Sequence, residues 1–79
     1  MKTITIEYFA ILREHAGCEQ ETLETAAGTP GQLFEEVVAR HGFPVLETVK
    51  VAINDEFGDW NAQLADGDTV VFIPPVAGG

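Results

Sequence analysis

The chain has 79 residues, of which 46% are hydrophobic and 22% charged, and its 13 acidic side chains leave a formal net charge of −9. This length and composition indicate one small globular domain, near the lower size at which a chain folds without disulfides or metals. The negative charge argues against binding to nucleic acid or to anionic membranes. It favours either a basic partner protein or a purely solubilising role.

Cysteine is represented by Cys18 alone, which excludes an intramolecular disulfide and a cysteine-based metal or iron–sulfur cluster. We interpret this thiol as incidental, because no neighbouring residue in the sequence would lower its pKa. The sequence shows neither a charged-then-apolar signal nor an apolar run long enough to span a bilayer. A cytoplasmic location is therefore expected.

The first part of the chain predicts a strand, a short helix and a second strand. KTITIEYF alternates, with Ile4, Ile6 and Tyr8 on one face, which is typical of a half-buried strand. AILREHAG then predicts about two helical turns that end at Gly17. The following EQETLET favours a strand that pairs back on the first one.

The main helix is predicted from its ends and its apolar stripe. TPGQ offers Thr29 as N-cap, Pro30 at the first helical position and Gln32 as the second half of a capping box. Gly42 and Pro44 are predicted to end the helix. The stripe consists of Leu33, Phe34, Val37 and Val38. The side chains predicted to face water are Glu35, Glu36 and Arg40.

The last third of the chain predicts two more strands. VKVAIN alternates as a third strand, NDEFGD is interpreted as a turn, and Trp60 and Leu64 are expected to anchor a connecting segment. The final strand, TVVFIP, is apolar on both faces, which is typical of the middle of a sheet. The element order predicts an α+β domain in which the long helix crosses one side of a mixed sheet.

One apolar patch is predicted on the other side of this sheet. If the first and last strands are central neighbours, Phe9, Val71 and Ile73 lie on the face that the long helix does not cover. A bare apolar patch beside an acidic surface is typical of a protein-docking site. The alternative is that the short helix or the segment 55–65 covers it.

No catalytic constellation is predicted within the chain. His15 and His41 each lie near a predicted helix end and are expected to be solvent-exposed or capping, since a histidine base needs an oriented partner. Asp66 and Asp68 flank Gly67, where aspartate supports turn geometry, and they lack the further ligands of a metal site. We therefore expect no bound metal or cofactor.

The chain closes with IPPVAGG. Pro74 and Pro75 remove two N–H donors and favour an extended geometry, so they are predicted to end the sheet ladder. Gly78 and Gly79 have no side chain to block the approach of another backbone. The predicted organisation is a folded domain over residues 1–74 and a flexible tail over residues 75–79.

Three stretches together, YFAILRE, VAIN and LADGDTVVFIPPVAGG, closely resemble the small, sulfur-carrying subunits of molybdopterin synthase. The resemblance covers essentially the whole chain and implies the ubiquitin-like β-grasp fold. It implies that the Gly79 carboxylate is adenylated by an E1-like activating enzyme with ATP and converted to a thiocarboxylate by a sulfur donor. The sulfur is then transferred to cyclic pyranopterin monophosphate, which forms the dithiolene of molybdopterin. The implied assembly is a heterotetramer in which two small subunits flank a large-subunit dimer.

The resemblance also assigns roles to residues. Gly78 and Gly79 are the reacting tail, with Gly79 as the reacting end, and Pro74, Pro75 and Val76 lead it out, followed by the narrow Ala77. The large subunit docks on Phe9 and Ile73, and Val71 joins them from the predicted apolar patch. Isoleucine at position 73 departs from the phenylalanine of the family. The alternatives are a sulfur carrier of thiamine synthesis, a ubiquitin-like protein modifier and a plain binding module. The Pro-Pro-Val before the tail favours the molybdopterin carrier.

Overall fold

Five strands and two helices form the described part of the chain, residues 1–43 and 48–75 of the computed structural model. In chain order they are β1 (Lys2–Tyr8), α1 (Ala10–Ala16), β2 (Gln20–Thr25), α2 (Pro30–His41), β3 (Lys50–Ile53), β4 (Glu56–Phe57) and β5 (Thr69–Ile73). All four predicted strands and both predicted helices are confirmed. Pro44, the predicted second stop signal of the main helix, lies outside the described residues.

The strands form one mixed sheet in the order β2-β1-β5-β3-β4. β1 pairs antiparallel with β2 and parallel with β5, while β3 pairs antiparallel with both β5 and β4. The first and last strands are therefore neighbours at the centre of the sheet, which is the condition on which the predicted apolar patch depends, and α2 packs across one face. This arrangement is the α+β, ubiquitin-like β-grasp fold.

Period-two alternation selects the core face of the central strands. Ile4, Ile6 and Tyr8 of β1 are at most 1% exposed, and Val70 and Phe72 of β5 are fully buried. α2 contributes the remaining central side chains of this layer, Leu33 and Val37, which are also fully buried. The predicted helical stripe is thus the face that meets the sheet, with Phe34 and Val38 partly buried at its margins.

Aromatic rings fill the space between α2, β5 and the connection to β5. The Phe72 ring lies 4.9 Å from the Phe34 ring and 5.9 Å from the Trp60 ring, with which it is nearly parallel. Leu64 of the same connection is only 2% exposed. Trp60 and Leu64 therefore anchor this segment to the core, as predicted.

The ends of α2 follow the sequence signals with one difference. The Thr29 side chain caps the helix by accepting a hydrogen bond from the Gln32 N–H at 3.2 Å. The Gln32 side chain accepts from the Gly28 N–H at 2.7 Å and does not close the predicted capping box on Thr29. A glutamine is long enough to reach one residue further back. Gly42 ends the helix with a left-handed φ of 68°, which suits glycine.

Two other predictions are corrected by side-chain contacts and by strand pairing. Glu36 was expected to face water, but its carboxylate accepts a hydrogen bond at 2.6 Å from Thr25, which is only 1% exposed. NDEFGD was expected to form only a turn, yet its Glu56–Phe57 pair forms β4. A strand of two residues is too short to show alternation in the sequence.

Candidate functional site

The end of β5 is where the predicted tail leaves the sheet. β5 is the central strand, and it stops at Ile73, directly before Pro74, which is buried, and Pro75, which is exposed. Proline has no N–H to extend the ladder, so the strand ends where the sequence predicted. Val76, Ala77, Gly78 and Gly79 lie outside the described residues, and their flexibility and chemistry remain predictions.

The sheet face opposite α2 carries a continuous apolar strip. Ala52 is the register partner of Val71 on one side and of Phe57 on the other. Directly paired residues of neighbouring strands project to the same face, so these three side chains lie in one row. Phe57 is 76% exposed, which makes it the most exposed large side chain of this row.

A second apolar row lies beside the first. Tyr8 and Phe72 are partners in the parallel pair of β1 and β5, so the extended residue that follows, Phe9, comes level with Ile73. Alternation points Phe9 and Ile73 to the same face as Val71. Phe9 is 47% exposed and Ile73 is half-buried. We name the five residues of the two rows the docking surface: Phe9, Ala52, Phe57, Val71 and Ile73.

The docking surface differs from the predicted patch in two ways. Val71 is only 8% exposed, because it sits in the central strand between Glu7 and Ala52, so it forms the floor of the patch and is not bare. The alternative interpretation was that the short helix or the segment 55–65 covers the patch, but Phe9 and Phe57 are 47% and 76% exposed. Phe57 of this segment instead extends the patch across β4. The signal for this hairpin in the sequence is the Asn-Asp pair before Glu56, since both residue types tolerate left-handed turn backbone.

The hairpin between β3 and β4 fixes the position of Phe57. Asn54 and Asp55 have left-handed φ angles of 51° and 71°, and asparagine and aspartate tolerate this region best among side-chain-bearing residues. Asn54 also accepts a hydrogen bond from the Thr69 N–H at 3.0 Å, which links the turn to the start of β5. Phe57 is thus held at the sheet edge by a turn that is itself tied to the central strand.

A shallow groove of about 260 Å³ runs along the same edge of the sheet. Phe57 and Lys50 lie on its wall together with Trp60. Phe57 therefore belongs both to the docking surface and to the groove. A partner that covers the docking surface would meet an apolar recess next to it, with one cationic side chain at the rim.

The turn before β5 organises the other end of the central strands. Asp66 accepts a hydrogen bond from the Thr3 N–H at 2.6 Å, and Asp68 accepts from the Ala65 N–H at 2.8 Å and from the Asn54 side chain at 3.0 Å. Gly67 has a φ of 89°, which glycine adopts without strain. The structural role predicted for Asp66 and Asp68 is confirmed.

A polar cluster lies at the opposite edge of the sheet, on the core side. The Tyr8 hydroxyl donates to Glu21 Oε2 at 2.6 Å, and His41 Nε2 lies 2.6 Å from the same oxygen. Arg40 lies 3.9 Å from Glu21 Oε1. The expectation that His41 is exposed or capping is wrong, because its side chain is only 16% exposed and bonded to Glu21. His15 is exposed, as expected.

The cluster perturbs the ionisation of its members. Burial alone would raise the pKa of Glu21, but the hydrogen bonds from Tyr8 and His41 and the nearby cations outweigh it, so the pKa lies below its ordinary value. Burial, followed by the bond to Glu21, raises the pKa of Tyr8 far above its ordinary value. Burial and then Glu21 raise the pKa of Cys18, which agrees with an unreactive thiol.

Neither helix of the described ranges, 1–43 and 48–75, combines the length and apolar character that crossing a membrane requires. Over residues 6–79, the sequence matches the family described as ThiS family. The chain belongs to the ThiS family. The relatives that follow confirm both the family resemblance of the sequence and the predicted fold.

Relatives of this ThiS-family chain include named sulfur carriers. It is 38% identical over 81 residues to the molybdopterin synthase sulfur carrier subunit of Chlamydomonas reinhardtii, a match that covers 96% of this chain and 98% of the relative. A solved protein of Pyrococcus furiosus, assigned as subunit 1 of a molybdopterin converting factor, is 31% identical with a TM-score of 0.82. That match covers 96% of this chain and all of the other.

A solved complex provides a third comparison. In the complex of subunits 1 and 2 of the molybdopterin-converting factor from Helicobacter pylori, the matching chain is 26% identical with a TM-score of 0.68. The match covers 98% of this chain and 99% of that one. This chain is therefore similar over its full length to a protein whose structure was solved in complex with the other subunit of the same factor.

Proposed function

We propose that this ThiS-family chain is the sulfur carrier subunit of a molybdopterin synthase. The observation that carries the proposal is its end-to-end similarity to the carrier subunit of C. reinhardtii, at 38% identity. In the proposed cycle the Gly79 carboxylate is adenylated, converted to a thiocarboxylate and used as the sulfur source for cyclic pyranopterin monophosphate. Each chain delivers one sulfur and returns to its carboxylate form, so two thiocarboxylated chains supply the two sulfurs of the molybdopterin dithiolene.

The proposed chemistry explains why an activating partner is required. A carboxylate is a poor acyl donor, so ATP first supplies AMP as a leaving group and releases pyrophosphate. A sulfur donor then forms the new carbon–sulfur bond as the carbon–oxygen bond to AMP breaks. The chain acts as substrate in these steps and as the sulfur-donating subunit in the next. The groups that catalyse both transfers are assigned to the partners, and no cofactor is assigned to the chain itself.

The described residues support the delivery of such a tail. The central strand ends at Ile73 and is followed by two prolines, so the tail leaves from a fixed point next to the docking surface. We propose that the large synthase subunit covers the docking surface, as the H. pylori complex joins subunits 1 and 2. Because this chain has a net charge of −9, a basic rim on the large subunit would complement it.

Phe57 gives a direct test of this docking model. Phe57→Ala is expected to weaken binding to the large subunit by about tenfold or more, since truncation of an aromatic anchor of an interface typically costs at least about 1.4 kcal/mol, which is tenfold in affinity. The measurement is isothermal titration of the purified large subunit with each variant. Because Phe57 is 76% exposed, its truncation should leave the free energy of unfolding unchanged within about 0.5 kcal/mol.

Glu56→Gln is the matched control for this test. Glu56 precedes Phe57 on the same short strand, is exposed, and projects to the other face of the sheet. It should bind the large subunit as the parent chain does. Equal affinities for Phe57→Ala and the parent chain would show that β4 lies outside the interface.

Two alternatives remain to be separated by experiment, a sulfur carrier of thiamine synthesis and a ubiquitin-like modifier. Intact-mass spectrometry of the chain isolated from cells is expected to show the exchange of one oxygen for one sulfur at the C-terminus. Isopeptide adducts on lysines of other proteins, with no sulfur-containing form of the free chain, would favour a modifier instead. Co-isolation of the large subunit, in the proposed heterotetramer, favours the molybdopterin carrier over the thiamine carrier. The cytoplasmic location stays a prediction.

A further inference from the structure

Among the acidic side chains of the described residues, Glu21 alone connects the two neighbouring strands β1 and β2 to the end of α2. Glu21 lies on the edge strand β2. Its oxygen Oε2 is 2.6 Å from the Tyr8 hydroxyl of β1 and 2.6 Å from His41 Nε2 of α2, and it forms a hydrogen bond with each. Its other oxygen faces Arg40 at 3.9 Å, and the Glu21 side chain is only 19% exposed. The proposed sulfur-carrier function uses none of these contacts.

The residues around this contact belong to the last turn of α2. His41 is the last helical residue, and Gly42 caps the helix through a hydrogen bond from its N–H to the Val38 carbonyl at 2.8 Å. The His41 ring also packs edge-on against Tyr8, at 5.7 Å, and stacks with Phe43, at 5.3 Å. The end of α2 is therefore attached to the sheet through one carboxylate and a small group of rings.

We propose that Glu21 is an acid-released clamp, which holds the last turn of α2 against the edge of the sheet when ionised and lets it open when protonated. The ionised carboxylate accepts both short hydrogen bonds and attracts the Arg40 cation. Protonation removes this charge and places a donor hydrogen on one of the two oxygens. The hydrogen bonds from Tyr8 and His41 to Oε2 then lose their charge assistance and weaken. The ring contacts of His41 with Tyr8 and Phe43 are unaffected by the protonation itself.

The titratable and charged groups that face Glu21 come from every neighbouring element. They are Tyr8 of β1, Arg40 and His41 of α2, and Cys18 of the turn before β2. The pKa of Glu21 lies below the ordinary value of 4.5, although burial alone would raise it. A lowered pKa means that the contribution to stability is present above pH 4.5 and is lost as the pH falls through the folded-state value.

Amide hydrogen exchange of the full chain, followed residue by residue by NMR, tests the clamp. Exchange of the Gly42 amide reports opening of the last turn of α2. Exchange of the Gly17 amide reports opening of the last turn of α1, because Gly17 caps that helix in the same way, with its N–H bonded to the Arg13 carbonyl at 2.9 Å. Between about pH 7 and pH 3, the protection factor of Gly42 is expected to fall about tenfold more than that of Gly17. Parallel changes at the two caps would overturn the proposal.

Glu21→Gln removes the charge and keeps the shape of the side chain. At neutral pH this variant is expected to lower Gly42 protection about tenfold, with no additional loss on acidification. Glu24→Gln removes the same charge from an exposed position of the same strand and should behave as the parent chain. An acid-dependent loss at Gly42 that persists in Glu21→Gln would contradict the clamp. If Glu21→Gln does not fold, the change in Gly42 protection relative to Gly17 protection in the parent chain still tests the clamp.

Discussion

Removal of Gly78 and Gly79 is expected to abolish thiocarboxylate formation and to leave the fold intact. The proposed reaction takes place on the terminal glycine carboxylate, and a chain that ends at Ala77 presents a side chain where the activating enzyme would receive bare backbone. The central strand makes its register pairs with β1 and β3 up to Ile73, so the described sheet does not depend on the deleted residues. Stability and reactivity should therefore separate in this variant.

The measurement combines intact-mass spectrometry with thermal unfolding. Each protein is incubated with the activating enzyme, ATP and the sulfur donor, and the replacement of oxygen by sulfur is followed. Ala77→Gly keeps the chain length and the terminal diglycine, so it should still acquire sulfur and serves as the control. Sulfur incorporation into the truncated chain would contradict the assignment of Gly79, and a large drop in its melting temperature would contradict the predicted independence of domain and tail.

Phe72→Ala is expected to have the largest effect on stability among single substitutions in the described core. Phe72 is fully buried in the central strand, with the Phe34 and Trp60 rings at 4.9 and 5.9 Å. Truncation of a buried phenylalanine to alanine costs about 3–5 kcal/mol through lost burial and the remaining cavity. A domain of this size has a total stability of only about 4–12 kcal/mol, so a large fraction of that stability should be lost.

Urea unfolding of the purified variants measures this effect. Phe57→Ala is the matched control, because it removes the same atoms from a side chain that is 76% exposed. It should unfold at nearly the same urea concentration as the parent chain, whereas Phe72→Ala should unfold much earlier. A difference below about 1 kcal/mol between the free energies of unfolding of these two variants would show that the rings of Phe34, Trp60 and Phe72 are not the centre of the core.

Local sequence patterns predicted the elements of this fold because each of them has a local physical cause. Alternation in KTITIEYF gave the core face of β1, and Thr29 and Gly42 marked the ends of α2. The central position of β5 followed from the apolar character of TVVFIP on both faces, whereas its pairing with β1 was an assumption that the structure confirms. The fold class could therefore be predicted without knowledge of the register.

The features that were missed depend on contacts between distant parts of the chain. Val71 is buried because Glu7 and Ala52 flank it in register, which its own apolar strand could not reveal. Glu21 and His41 are 20 positions apart, and only the packing of α2 on the sheet edge brings them together. Phe57 joined the docking surface through a two-residue strand that has no periodicity of its own.

The proposed role of the tail has a different origin from the fold. The residue types alone showed only that Pro74 and Pro75 end a strand and that the glycines after them have no side chain to block the approach of a partner. The chemistry proposed for the tail was inferred from the resemblance of the whole ending to a sulfur-carrier family. The match to the ThiS family over residues 6–79 supports that inference. The docking surface links the two lines of evidence, because it lies where the tail leaves the sheet.

Conversion of precursor to molybdopterin in a purified system tests the central claim most directly. The thiocarboxylated chain is mixed with the large subunit and cyclic pyranopterin monophosphate, and both the pterin product and the mass of the chain are followed. The proposal predicts that molybdopterin forms while the chain returns to its carboxylate form. A chain that carries sulfur and binds the large subunit, yet yields no molybdopterin and retains its sulfur, would contradict it.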